Sequence, residues 1–244
     1  MKSILLKNNF KVIYEHREGD LTSICISVDA GAGAEGEKDK YGVAHAVEHM
    51  VYKGTKKRSE AEINEELSNV FGFQNAMTNY PYVIYYGTLL SEDFEKGVEL
   101  FSDILINPSF DEEGFPEEMK VIKEELNEWD EDLEQFCEDK LFINSFNERR
   151  IKYPIIGTTK SLESMTLNDI KKFYEVNDTS YLKIGFAEQN VPMLEKCIVK
   201  FDNDEETINE FIQFVRFEYL DFKAKEAEDI NFNYIQPWPN NFYK

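Results

Sequence analysis

Histidine is scarce in this chain. Of 244 residues only three are histidine, at positions 16, 45 and 49, and two of these stand four apart. Cysteine is equally rare. Cys25, Cys137 and Cys197 are widely spaced, odd in number and without a C-x-x-C pair, which predicts reduced, mostly buried thiols in a cytoplasmic protein. Basic residues are few beside acidic ones, 27 against 48, leaving a net charge of −21. Nucleic acids and anionic membranes both need clustered Lys and Arg, so neither is an expected partner, whereas cationic substrates are compatible. No stretch approaches 18 uninterrupted apolar residues, so no membrane-spanning helix is expected, and residues 1–7 turn polar too early for a secretory signal peptide.

What is present is enough apolar content, 42%, for a sizeable core in one large domain or two small ones. The informative stretch is residues 44–50, which read H-x-x-E-H over His45, Glu48 and His49. On a helix His45 and His49 lie one turn apart on one face, with Glu48 bordering it. Two imidazoles and a neighbouring carboxylate suit a catalytic zinc (Zn2+) site: the imidazoles hold the metal, and the carboxylate accepts a proton from the activated water. This is the order of the inverted zincins. His16, flanked by Glu15 and Arg17, reads as a surface residue.

Residues 3–14 read as two strands around a turn at Asn8-Asn9, and residues 21–29 alternate as a half-buried strand. The small-residue loop at 30–36 lacks the G-K-[ST] of a phosphate loop. The motif helix is expected to end near Lys53-Gly54, with Gly54 as its cap. Ser59 and Glu62 form a capping box opening a helix through Val70, closed by Gly72. Residues 73–78 and 83–89 read as a hairpin. Ser91 is expected to cap a helix bearing Phe94, Val98, Phe101, Ile104 and Leu105. Residues 115–146 read as one long acidic helical stretch, with Ser161 and Thr166 as the next two N-caps. A strand at 181–186 and a short helix at 191–200 follow. An amphipathic helix at 208–222 and an aromatic, proline-rich end at 232–243 close the chain. Hairpin-like pairs without a β-α-β rhythm predict an α+β fold, a mostly antiparallel sheet with helices packed on it. The domain reading is 1–200, followed by a tail of 201–244 that either docks on a partner or covers its own domain.

Residues 42–55, Gly-Val-Ala-His-Ala-Val-Glu-His-Met-Val-Tyr-Lys-Gly-Thr, resemble the signature of the M16 (pitrilysin-like) zinc peptidases, roughly G-x-A-H-x-x-E-H-M-x-F-K-G-T. The resemblance extends over about residues 4–190. It takes in Val28 to Glu35, the run Asn75-Ala76-Met77-Thr78, the glutamate helix at 118–126, and the loop and helix from Tyr153 to Tyr174. It implies that His45, His49 and Glu125 are zinc ligands, that Glu48 is the general base and that Glu118 is an acid supporting the site. Glu124 is the rival third ligand; the seven-residue step from Glu118 favours Glu125, because it returns to the same helix face.

Asn75, Ala76, Met77 and Thr78 bind substrate by strand addition or belong to an ordinary core hairpin, two readings of equal weight. Active members of the family enclose a peptide between two halves, and this sequence carries one. The resemblance therefore implies a homodimer, or a heterodimer with another M16-like subunit. The function expected is a zinc endopeptidase, or the catalytic subunit of a two-subunit one, acting on peptides or unfolded segments, basic ones included. A non-catalytic partner subunit that binds peptide without cutting it is the alternative.

Overall fold

The computed structural model describes residues 2–5, 11–16, 18–177 and 182–187. Six strands form one sheet: β1 Lys2–Leu5, β2 Lys11–Glu15, β3 Leu21–Val28, β4 Phe71–Thr78, β5 Val83–Leu90 and β6 Leu182–Ala187. Their order is β1-β2-β6-β3-β5-β4, antiparallel at every step except β2 against β6. The helices are α1 Val43–Val51, α2 Glu60–Val70, α3 Phe94–Ile106, α4 Phe115–Glu128, α5 Leu133–Ser145, α6 Thr159–Ser164 and α7 Leu167–Asn177. The expected α+β architecture is present. The expected helices at 191–200 and 208–222 and the aromatic end lie outside the described residues.

Strand alternation decides which face is core. Ile24, Ile26 and Val28 of β3 and Val83, Tyr85 and Leu89 of β5 are buried. They join Met50 and Val51 of α1, Phe101 and Ile104 of α3, and Met119 and Ile122 of α4 in one apolar cluster. Burying such side chains contributes about 1.5–3 kcal/mol each. The cluster therefore fixes α1 and α4 in a common layer.

Several boundaries differ from the sequence reading. The acidic stretch is two helices, because Asp132 turns extended and its side chain accepts from the amides of Glu134 and Gln135, restarting the chain as α5. α1 ends at Val51 with Tyr52 as its cap, two residues before Gly54. α2 keeps its Ser59–Glu62 box but passes straight into β4, where Gly72 sits at a bulge. Ser91 pairs its hydroxyl with Thr22 instead of capping α3. Thr158 caps α6 with Ser161 as its boxed partner, and Thr166 serves the first turn of α7.

The start of α1 is held from outside the helix. Gly42 takes φ +96° with no side chain to cap the helix. A Cβ there would lie 2.3 Å from the Ile156 carbonyl, and a Cβ on Gly157 (φ +93°) would lie equally close to the Tyr41 carbonyl. Glu35 supplies the missing cap: its buried carboxylate accepts from the amides of Gly42 (3.1 Å) and Ala44 (3.0 Å). Arg150 donates to the same carboxylate at 2.6 Å and to the carbonyls of Tyr153 and Pro154. The loop at 153–157 and the helix start are thereby one unit.

Candidate metal centre

α1 places His45 and His49 on one face, their ring centroids 4.5 Å apart. α4 crosses this face. Its apolar residues Met119 and Ile122 are buried, while Glu118 and Glu125, two turns apart, project toward the histidines. Glu125 Oε1 lies 3.6 Å from His45 Nε2, and its Oε2 lies 3.5 Å from His49 Nε2. One ligand atom from each of His45, His49 and Glu125 falls within 4.8 Å of the others, the sole such trio among the described residues. Glu124 is exposed and outside it, so of the two rival glutamates α4 presents Glu125.

Glu118 does different work from the trio. Its Oε1 is 2.7 Å from His49 Nδ1. A carboxylate only accepts, so Nδ1 carries the hydrogen and the Nε2 lone pair of neutral His49 faces Glu125. Lys53 approaches the other Glu118 oxygen at 3.1 Å. Glu48 lies on the inner side of α1, where Thr78, at the end of β4, donates its hydroxyl to Glu48 Oε2.

The charges follow from these contacts. Burial, then the neighbouring His49, pulls His45 down to about 4, so it is neutral at pH 7. Burial acts in the same sense on His49, but the bonds to Glu118 and Glu125 outweigh it and raise that ring to about 9. The His49 bond holds Glu118 below the usual carboxylate range. Glu125 is also lowered: burial acts against this, but His49 and His45 outweigh it. Burial pushes the Glu48 carboxyl up, with the Thr78 hydroxyl opposing. The donor set therefore fits a zinc ion: two imidazole nitrogens and one carboxylate converge, and the outer nitrogen of one imidazole is already oriented by a carboxylate. The Nδ1 of His45 is buried and has no hydrogen-bond partner among the described residues.

The four residues expected to bind substrate divide. β4 is an edge of the described sheet. Asn75 and Met77 are exposed and Ala76 is half-buried. Thr78 is buried, and its side chain donates to Glu48. His16 is half-buried, its Nδ1 paired with the Tyr14 hydroxyl, and takes no part in the cluster. Sequence reading did not single out Arg150, which meets Glu35 across 115 positions with no local signal. Lys53 was legible only as one letter of the motif.

A helix-borne H-x-x-E-H completed by a downstream glutamate defines the inverted zincin class of site. The family model described as Insulinase (Peptidase family M16) matches residues 11–159, and the chain belongs to that family. It is 32% identical over 193 residues to mitochondrial-processing peptidase subunit beta of Blastocladiella emersonii, covering 79% of this chain and 41% of that protein. It is 31% identical over 169 residues to an uncharacterized zinc protease of Rickettsia bellii, covering 69% and 41%. The chain thus spans less than half the length of either relative. Among solved structures, a protease from Helicobacter pylori shares the fold with a TM-score of 0.71 at 20% identity, covering 95% of this chain and 53% of that one. A peptidase M16 inactive domain from Pseudomonas fluorescens also matches, with a TM-score of 0.66 at 16% identity over 76% and 45%.

Proposed function

We propose that this chain is the zinc-holding catalytic half of an M16-type metalloendopeptidase that hydrolyses peptides or unfolded segments. The observation that carries the reading is the convergence of His45, His49 and Glu125 within 4.8 Å. Beside it stands a largely buried carboxylate, Glu48, that forms no ion pair among the described residues and is held by a hydroxyl. Zinc, when bound, supplies Lewis acidity that polarises the scissile carbonyl and makes water acidic enough to attack near neutral pH.

The protein's own groups supply the rest. The two Nε2 atoms and the Glu125 carboxylate would hold the metal, and Glu118 would keep the His49 ring turned to it. Glu48 takes the proton of the attacking water on its carboxylate and hands it to the leaving amine, a task suited to a carboxyl with a raised pKa. The β4 edge receives an extended peptide through the backbone of residues 75–77, next to Glu48. The acidic surface favours basic peptides.

A second half closes the site in this reading, either a further copy of this chain or another M16-like subunit. The name of the Blastocladiella relative, a subunit, supports an assembly. Cys25 and Cys137 form no disulfide among the described residues, which accords with a cytoplasmic setting. Intact His45, Glu48, His49 and Glu125 weigh against the non-catalytic alternative.

The test is hydrolysis of a mixed peptide library by the zinc-loaded chain, alone and with candidate partner subunits, with Glu48→Gln as control. Cleavage that disappears in the control is expected. Full activity in Glu48→Gln removes the base assignment, and a purified chain that takes up no zinc removes the metal site.

A further inference from the structure

Lys53 follows the cap of α1, four residues beyond His49. Its Nζ donates to Glu60 Oε1 at 2.6 Å and lies 3.1 Å from Glu118 Oε2. The side chains of Lys53 and Glu118 are each only 12% exposed. Glu60 opens α2, whose start is set by the Ser59–Glu62 box. The lysine stem runs past the start of α4, where a Cβ on Gly114 would come 3.4 Å from Lys53 Cε. A cation is disfavoured at a helix N-terminus, where the backbone amides are already positive. Its presence there needs compensating charge, and Glu60 and Glu118 supply it.

We propose that Lys53 is a positioning residue: by holding Oε2 of Glu118 it keeps Oε1 on His49 Nδ1, and so fixes the ring whose Nε2 faces the metal site. The inference rests on the proposed zinc site and deepens it. A carboxylate has a terminal torsion with little intrinsic preference. With one oxygen on His49 and the other unclaimed, Glu118 turns between its neighbours and solvent. With both oxygens held, the line Glu60–Lys53–Glu118–His49 ties the starts of α2 and α4 to the metal-facing ring. Groups behind a metal ligand change affinity by about 10–100-fold when removed. Lys53 stands one contact further out, so the lower end is expected.

The experiment measures zinc affinity by chelator competition, and the visible spectrum of the cobalt-substituted protein, for Lys53→Met, Lys53→Arg, Glu118→Gln and the double variant Lys53→Met/Glu118→Gln. Melting temperatures of the metal-free forms are taken alongside. Lys53→Met keeps the stem and loses the cation; it should weaken zinc about tenfold and alter the cobalt spectrum. Lys53→Arg should retain affinity within about threefold, since it keeps a donor to the carboxylate. In the Glu118→Gln background Lys53→Met should add nothing. Wild-type affinity in Lys53→Met overturns the inference, as does equal weakening with and without the Glu118 carboxylate. A wild-type protein that takes up no zinc overturns the metal site itself, a result distinct from either of these.

Discussion

Thr78 donates its hydroxyl to Glu48 across 30 positions of sequence, from the end of the edge strand to the inner side of the motif helix. The strand proposed to receive the peptide and the carboxylate proposed to serve as base are thus joined by one bond. Thr78→Val keeps the shape and removes the donor. Turnover should fall by about tenfold, far less than for loss of the base itself, with KM little changed. Thr78→Ser should preserve it. Steady-state kinetics on one cleaved peptide distinguishes these outcomes.

Zinc uptake should be coupled to one proton. In the metal-free protein His49 is raised to about 9, whereas His45 lies near 4 and Glu125 is ionised at neutral pH. At pH 7 a ligating metal must therefore displace the proton of His49 alone. Affinity should climb about tenfold per pH unit between about 5 and 9, then level off. Calorimetry in buffers of different ionisation enthalpy should return about one proton released per zinc at pH 7.

The Glu35–Arg150 pair should matter to both stability and the site. Removing the guanidinium by Arg150→Met leaves a buried carboxylate with only two amide donors. The loss should be about 3–5 kcal/mol in denaturant unfolding. Zinc affinity should fall with it, because Glu35 caps the helix that carries both histidines. The double change Arg150→Met/Glu35→Gln should recover part of the stability, since no unpaired charge is then buried.

The break between α4 and α5 depends on one cap. Asp132→Ala removes the side-chain acceptor for the Glu134 and Gln135 amides and should cost about 1 kcal/mol. Amide exchange at residues 134–136 should speed up, with no change at His45 or His49.

Much of the fold was legible because its signals are local. The alternation of β3, the hairpin of β4 and β5, and the Ser59–Glu62 box each lie within a short window, and each appears where expected. The errors arose where tertiary contacts override such signals. Ser91 looked like a cap, yet its hydroxyl pairs with Thr22, 69 positions away. Met119, Ile122, Leu126, Trp129 and Leu133 have one helical spacing, yet the helix stops before Leu133, which is 77% exposed. An apolar period predicts a continuous face only while the backbone stays helical, and the Asp132 cap interrupts it. The parallel contact of β2 with β6 joins strands far apart in the chain, which no local pattern encodes.

At the site the same division holds. The sequence alone determined that His45, Glu48 and His49 share one region of a helix, and that Glu118 and Glu125 share one face of another, because 3.6 residues per turn makes those spacings a property of the backbone. Only the tertiary structure decided that Glu125 meets both Nε2 atoms while Glu118 takes the far nitrogen of His49, that Thr78 turns inward to Glu48, that Lys53 meets Glu118 and that Arg150 meets Glu35. Those relationships depend on how α1 and α4 cross and on which apolar faces are buried together, and that choice is made by the packed core as a whole.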